Sequence, residues 1–246
     1  DSEIFELAPG ERILIVKNPA AFEFRHGPGL PVAGVFQNGT GLSNGGERIT
    51  LINRGTGETI QSFSYSDTAP WPEAADGHGY SLTLSSGAAA TDLADPLNWR
   101  ASREVGGSPG TGDGIALADW LDAHGLATDQ EESDLDHDGL SALLEYAVGG
   151  NPEDPSDGNV FTPAIISLEV DGQIDNYLVL RFPRLKGADD VRVSAQFSTD
   201  LISWTEAGPV IDYQFNSSNP VETLMVRAPT PTGSAPQFLR LQVESR

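Results

Sequence analysis

Three aspartates on alternate residues, Asp134, Asp136 and Asp138, are followed by a glycine and then by Glu145. The stretch from the first aspartate to this glutamate fits the twelve-residue calcium-loop pattern D-x-[DN]-x-[DN]-G-x5-E at every fixed position. Glycine at the sixth position permits the sharp turn that makes alternate carboxylates converge, as a cation with six to eight oxygen ligands requires. The sequence therefore predicts a Ca²⁺ site with these ligands: Asp134, Asp136, Asp138, the backbone carbonyl of Leu140, and Glu145.

Two other loop positions indicate which kind of calcium site to expect. Position nine is Ala142, which has no side-chain oxygen, so we expect a water molecule to act as ligand there. Position eight is Ser141, where paired signalling EF-hands usually carry an aliphatic residue. The pattern therefore favours a solitary structural loop over a calcium-sensing pair.

The chain is strongly acidic, and much of the acid lies around this loop. Its 246 residues include 14 Lys and Arg against 36 Asp and Glu, and a net charge of −22 disfavours nucleic acid as a partner. Residues 111–160 hold thirteen Asp and Glu and no Lys or Arg. A solvated acidic turn is the alternative explanation of such a run. Ligands in register, the glycine at the turn and a helix at the end of the loop favour metal binding.

Composition also restricts the setting of the protein. The absence of cysteine excludes disulfides and thiolate metal sites. No apolar run approaches the roughly 20 residues of a membrane span, so we expect no direct membrane insertion. The chain opens on Asp1 without a signal peptide, which suggests a processed or excised portion of a longer protein. Acidity, Gly- and Pro-rich loops and a calcium loop together favour a secreted or cell-surface protein.

Hydrophobic periodicity divides the chain into three zones, 1–110, 111–158 and 159–246. The first zone shows strand patterns at 11–17, 47–53 and 59–65, and the last two form a hairpin. The middle zone shows helices at 115–121 and 140–147, which end at Gly125 and Gly149. The third zone shows strands at 164–170, 176–182, 191–198, 210–213, 222–226 and 237–243, with a longer loop around Asp171-Gly172. The predicted fold is mainly β: two antiparallel, immunoglobulin-like β-sandwiches joined by a short helical calcium-binding segment.

Several short motifs in the first zone follow the order found in one known family. They are Phe5–Gly10, Gly41–Glu47, Gly57–Ile60, Trp71-Pro72, Asp76–Leu82, Asn98-Trp99 and Gly107–Gly110. In this order they resemble the later part of the bacterial lamin-tail domain, which is an immunoglobulin-like sandwich. The resemblance implies that the first strands of that domain are missing, and a sandwich with an open edge invites pairing with another strand.

The other two zones also resemble parts of large exported bacterial proteins. The loop and its run-out Glu145–Pro152 look like the calcium segments of thrombospondin type 3 and dockerin-like repeats, which implies the ligand set given above. The third zone, with Phe197–Trp204 and Phe238–Leu241, is similar to C-terminal β-modules of such proteins. That likeness implies a sandwich and no particular activity.

Some other residues are of types that occur in catalytic or binding sites, but the sequence around them does not fit such a site. Gly41-Leu-Ser43-Asn-Gly45 matches the G-x-S-x-G nucleophile elbow, but a strand pattern follows it where the elbow requires a helix. The four histidines have neither metal-ligand nor triad spacing, and no pair of nucleophile and base stands out, so we expect no enzyme. Some aromatic residues would suit a sugar-stacking surface, although burial in the core explains them more simply: Trp71, Trp99, Trp204 and Tyr213.

The sequence thus predicts a calcium-stabilised structural or adhesive portion of a secreted or cell-surface bacterial protein. Its partners would be other domains of the parent protein or neighbouring subunits. Two alternatives stay open. One is a carbohydrate-binding accessory module of an exported enzyme, with polysaccharide as partner. The other is a fibre or assembly subunit that strands from a neighbouring chain complete.

Overall fold

The computed structural model describes residues 6–85, 92–216, 219–233 and 235–246. The chain forms mainly strands and few helices, and the strands form several sheets, nearly all of them antiparallel. The predicted mainly β class is thereby confirmed, while the immunoglobulin-like sandwiches and the boundaries at 110 and 158 stay predictions. Phe5, in the first lamin-tail-like motif, lies outside the described residues.

The first zone contains short paired strands. Strand β1 (Leu14–Val16) pairs in parallel with β2 (Val32–Val35), and β3 (Glu47–Ile52) pairs with β4 (Thr59–Tyr65) as the predicted hairpin. Further along, β5 (Leu82–Leu84) pairs antiparallel with β6 (Trp99–Ala101).

Helix α1 (Pro19–His26) was not predicted, because the first zone was expected to contain strands and irregular loops. Its start has a local cause: the Asn18 side chain accepts a hydrogen bond from the Ala21 N–H, and Pro19 occupies the first helical position. The helix has no buried residue, so no apolar stripe marks it in the sequence.

The third zone consists of two sheets. Strands β7 (Thr162–Val170), β8 (Gln173–Leu185), β11 (Val210–Phe215) and β12 (Val221–Arg227) form a sheet in the order β11-β12-β8-β7. Strands β9 (Val191–Ser198), β10 (Thr205–Glu206) and β13 (Phe238–Ser245) form a second one in the order β10-β9-β13. Apolar side chains of both sheets meet in one core, among them Phe182, Leu224 and Ala195.

The longer loop predicted around Asp171-Gly172 was wrong. Strand β8 begins at Gln173, so these two residues alone connect β7 to β8. Both have positive φ, 53° at Asp171 and 76° at Gly172. Such a two-residue turn matches the natural twist of an antiparallel hairpin, and pairing therefore continues to its tip.

The two predicted helices of the middle zone are present as α2 (Leu117–Ala123) and α3 (Ala142–Val148). Helix α3 ends at Gly149, whose left-handed φ of 79° lets its N–H donate to the Glu145 carbonyl. One face of α3 buries Leu143, Tyr146 and Ala147 against Leu185 and Val191 of the third zone. The middle zone is therefore attached to the third zone by an apolar contact.

Part of the first zone packs into the core of the third. Ala74, Tyr80 and Ala101 belong to the same buried cluster as Phe182 and Leu224. Two buried arginines reinforce this contact: Arg100 pairs with Asp189 of the third zone, and Arg184 of the third zone donates to the backbone carbonyls of Leu97 and Trp99. Arg100 also pairs with Asp113, and Arg184 with Glu222. Among the described residues, no helix is both long and apolar enough to cross a membrane.

Candidate metal centre

The loop before α3 has the tight coil that its sequence pattern requires. His137 and Gly139, at loop positions four and six, have φ values of 66° and 97°, so the chain turns sharply at both. The ends of the loop are held together by backbone hydrogen bonds. Ala142 N–H donates to Ser133 at 2.9 Å, and Leu143 N–H donates to Glu131 at 2.8 Å.

Each aspartate of the loop uses one carboxylate oxygen to hold the backbone. Gly139 N–H donates to Asp134 Oδ2 at 3.1 Å, Asp138 N–H to Asp136 Oδ1 at 3.2 Å, and Leu140 N–H to Asp138 Oδ1 at 2.7 Å. The other oxygen of each aspartate is buried and has no hydrogen-bond partner within the described parts of the chain. The loop backbone therefore orients three bare oxygens.

Glu145 is the most deeply buried acid of the group. It lies in α3. Ser141 caps the N-terminus of this helix, because its side chain accepts a hydrogen bond from Leu144 N–H at 3.4 Å. The residue is 0 % exposed, and neither Oε1 nor Oε2 has a partner among the residues described. Since buried polar atoms are almost always hydrogen-bonded, a carboxylate with two bare oxygens is a candidate ligand for a cation.

A fifth carboxylate comes from outside the loop. Asp157 accepts a hydrogen bond from Asn151 N–H on Oδ2 at 2.9 Å, and its Oδ1 is buried without a partner in the described structure. One oxygen of each of four acids lies within 4.8 Å of the other three: Asp136, Asp138, Glu145 and Asp157. The loop pattern ends at Glu145 and carries no signal for Asp157, because only the return of the chain after α3 brings this residue close.

The structure thus brings three of the predicted ligand residues together, with Asp134 beside them. Asp134 is outside the group of four, but its bare Oδ1 is buried and its charge acts on Glu145. The role of the Leu140 carbonyl stays a prediction. The water predicted at loop position nine is likewise untested, although Asp157 adds an oxygen that the sequence did not anticipate.

Burial and the charges of neighbouring carboxylates make Glu145 and Asp157 hard to ionise. Burial raises the pKa of Glu145 to about 8, and the nearby carboxylates of Asp136, Asp138 and Asp157 act in the same direction. Burial also raises the pKa of Asp157, which the Asn151 N–H opposes and the neighbouring Asp138 reinforces. Residues 111–160 contain no Lys or Arg, so this segment supplies no positive charge of its own.

The chemistry of the cluster is that of a site for a metal ion. Six carboxylate oxygens in this part of the chain are buried without partners: one each from Asp134, Asp136, Asp138 and Asp157, and two from Glu145. Buried charges are tolerated when they are paired or coordinate a metal, and otherwise the group takes up a proton. A hard cation that binds oxygen ligands would supply the missing positive charge.

The other residues considered in the sequence lie in different surroundings. Ser43 is followed by strand β3, and its carbonyl accepts a hydrogen bond from Tyr65 O–H at 2.5 Å, so this segment is a turn without the helix of a nucleophile elbow. Trp71, Trp99 and Tyr213 are buried, and the Arg240 guanidinium lies 4.0 Å from the ring centroid of Trp204. Three of the four aromatic residues are therefore buried in the core, while Trp204 is half-buried beside Arg240.

Comparison with protein-family models, with curated proteins and with solved structures finds no match for this chain. The likenesses to lamin-tail, thrombospondin type 3 and dockerin-like segments therefore stay predictions.

Proposed function

We propose that residues 134–157 bind one Ca²⁺ ion, and that this ion stabilises the attachment of the helical segment to the β core. The observation that carries the proposal is Glu145, a fully buried carboxylate with two unpartnered oxygens that faces four aspartates. Without a cation, the carboxylates of the site are cut off from water and repel one another. A bound cation would offset both the lost hydration and the repulsion.

The ligand set favours Ca²⁺ over Mg²⁺. Calcium accepts six to eight oxygens in a flexible shell and takes glutamate in bidentate fashion, whereas magnesium prefers a small octahedron that retains several waters. The protein offers six bare carboxylate oxygens, and both oxygens of Glu145 are among them. The absence of cysteine leaves an oxygen-only site, which suits a hard cation.

The ion would act through α3, because this helix faces both the cluster and the β core. Glu145 lies on the side towards the loop, while Leu143, Tyr146 and Ala147 pack on β8 and β9. The Tyr146 hydroxyl also donates to the Ile115 carbonyl at 2.5 Å, which ties α3 to the residues before α2. An ion that holds Glu145 would therefore hold the whole helical segment in place.

At the level of the whole protein, we propose a structural or adhesive role outside the cell. Extracellular modules bind Ca²⁺ with dissociation constants of about 10⁻⁴–10⁻³ M, in the range of calcium outside cells. The strong acidity agrees with such a setting. We further propose that the two sheets of the third zone stack as a sandwich, since their side chains share one core. The carbohydrate-binding and assembly alternatives stay predictions.

Calorimetric titration with Ca²⁺ and with Mg²⁺, combined with thermal melting, tests the proposal. We expect one Ca²⁺ per chain and much weaker Mg²⁺ binding. Calcium at ten to a hundred times its Kd should add about 1.4 to 2.7 kcal/mol to the free energy of unfolding. For a chain of this size that corresponds to a rise in Tm of roughly 3–10 °C. No heat of binding and an unchanged Tm in excess chelator would refute the calcium site.

A further inference from the structure

The chain between α3 and β7, residues 150–158, forms a strap that folds back over the calcium loop. It is held by its own backbone: Asp154 N–H donates to the Asn151 carbonyl at 2.9 Å, and Asp157 N–H donates to the Asp154 carbonyl at 3.3 Å. Pro152 anchors the strap because it is fully buried, while its neighbours Glu153 and Asp154 are exposed. The strap is therefore anchored near its start by Pro152, and its middle is exposed to solvent.

The far end of the strap is pressed against the loop. A Cβ added to Gly158 would lie 2.7 Å from the Asp138 carbonyl oxygen and equally close to Asp138 Oδ2, so only glycine fits this contact. The preceding residue, Asp157, directs its buried, unpartnered Oδ1 into the acidic cluster. Two ionised carboxylates in such close contact repel each other unless a proton or a cation lies between them, and no donor group of the described chain reaches Asp157 Oδ1.

We propose that Asp157 is a direct ligand of the bound cation, so that the ion closes a ring of chain from Asp134 to Asp157 and ties the strap to the loop. This inference rests on the calcium site proposed above. It adds a second segment to that site: the ion holds α3 through Glu145 and the entrance to β7 through the strap. With Asp157 coordinated, one fewer water is needed in the shell at loop position nine, where Ala142 has no oxygen.

Terbium luminescence lifetimes in H₂O and D₂O test this ligand, because the difference between the two decay rates is proportional to the number of water molecules on a bound Tb³⁺. We expect Asp157→Ala to add about one water and to weaken Tb³⁺ and Ca²⁺ binding roughly tenfold or more, since affinity depends on the charge and number of ligands. Asp157→Asn, which keeps an oxygen at this position, should show the affinity loss with a smaller change in hydration. The matched control is Glu153→Gln, which removes one charge from the exposed part of the same strap and should leave the water count unchanged.

The outcomes separate this inference from the proposed function. If the wild-type chain binds neither Tb³⁺ nor Ca²⁺, the calcium site itself is refuted. If it binds both, but Asp157→Ala matches Glu153→Gln in water count and affinity, Asp157 is not a ligand while the calcium site stands. Far-UV circular dichroism of each variant shows whether the fold is retained, and Asp157→Asn provides the test if the alanine variant is unfolded.

Hydrogen exchange followed by mass spectrometry tests the tie between strap and loop. Ca²⁺ should slow exchange of the strap amides, including those of Asp154 and Asp157, whose acceptors are backbone carbonyls, by about tenfold or more relative to chelator. In Asp157→Ala, saturated with Ca²⁺, the loop should still be protected and the strap should not. Equal protection of the strap in both proteins would overturn the proposed ring.

Discussion

Carboxylates are buried in two regions of this molecule, and they are compensated in different ways. At the seam between the first zone and the β core, Arg100 donates to both oxygens of Asp189 at 2.7 Å each and to Asp113 at 2.6 Å. In the acidic cluster formed by the loop before α3 and Asp157, six carboxylate oxygens are buried with no donor in the described chain. The seam carries its own counter-charge, and we propose that the acidic cluster takes one from solution.

The pKa shifts follow this difference. Burial opposes ionisation of Asp113, but hydrogen bonds from Arg100 and from the Arg103 N–H outweigh it and hold the pKa of Asp113 below its usual range. Glu145 receives no hydrogen bond that would oppose the effect of burial, so its pKa rises to about 8. A buried acid with an internal partner keeps its counter-charge whether or not a ligand is present, whereas a buried acid without one makes stability depend on a proton or a ligand.

Removal of the internal counter-charge should have the largest effect. Arg100→Gln would leave Asp113 and Asp189 buried without a cation, and we expect a loss of about 3–5 kcal/mol in the free energy of unfolding, independent of calcium. Arg181→Gln is the control, because its pair with Asp212 is half exposed and should be worth at most about 1 kcal/mol. Chemical denaturation of both variants measures the difference. Comparable losses in the two would contradict the distinction between seam and surface.

Glu145→Gln should change stability in opposite directions with and without calcium. In Ca²⁺ the variant loses its bidentate ligand and with it the roughly 1.4 to 2.7 kcal/mol of binding stabilisation. In chelator at about pH 9, above the raised pKa of Glu145, it should be more stable than the wild type, because a buried unpaired charge has been removed.

Thermal melting in both conditions checks this reversal, with Glu153→Gln as an exposed control that should behave like the wild type in each. Destabilisation of Glu145→Gln by the same amount in chelator and in Ca²⁺ would show that Glu145 serves packing alone.

Calcium affinity and the stability of the ion-free fold should change with pH in opposite directions. The pKa of Glu145 is raised from 4.5 to about 8 in the folded chain, so the ion-free protein loses stability as pH rises through that window. Calcium replaces the proton, and its affinity should therefore rise by up to about tenfold per pH unit between pH 6 and 8. Titrations at several pH values measure this slope. A flat profile would mean that Glu145 is already ionised before calcium binds.

Local patterns were sufficient to predict much of the fold. The β3–β4 hairpin, helices α2 and α3 and most third-zone strands follow from alternation, helical spacing and glycine stops. Helix α1 was missed because it buries no residue and so has no apolar stripe, although Asn18-Pro19 is a helix-start signal. The β7–β8 turn was predicted too long because Gln173–Asp175 are exposed and show no strand pattern in the sequence. These residues nevertheless pair with β7, because the conformation of the two-residue turn aligns the two strands.

The candidate site was predictable only where it is local in sequence. Asp136, Asp138 and Glu145 lie in one loop, and the chemistry of calcium fixes their spacing. Asp157 belongs to the same cluster through the tertiary path of the strap, which no spacing rule describes. The packing of Ala74, Tyr80 and Ala101 into the third-zone core is likewise a long-range contact. It became visible only in the folded chain.

Crystals grown with Ca²⁺ test the proposed calcium site most directly, through an anomalous difference map at the acidic cluster. We expect a single strong peak with both oxygens of Glu145 in its coordination shell. The other carboxylate ligands around the peak should be those of Asp134, Asp136, Asp138 and Asp157. No peak at saturating calcium, with these carboxylates turned apart towards solvent, would contradict it.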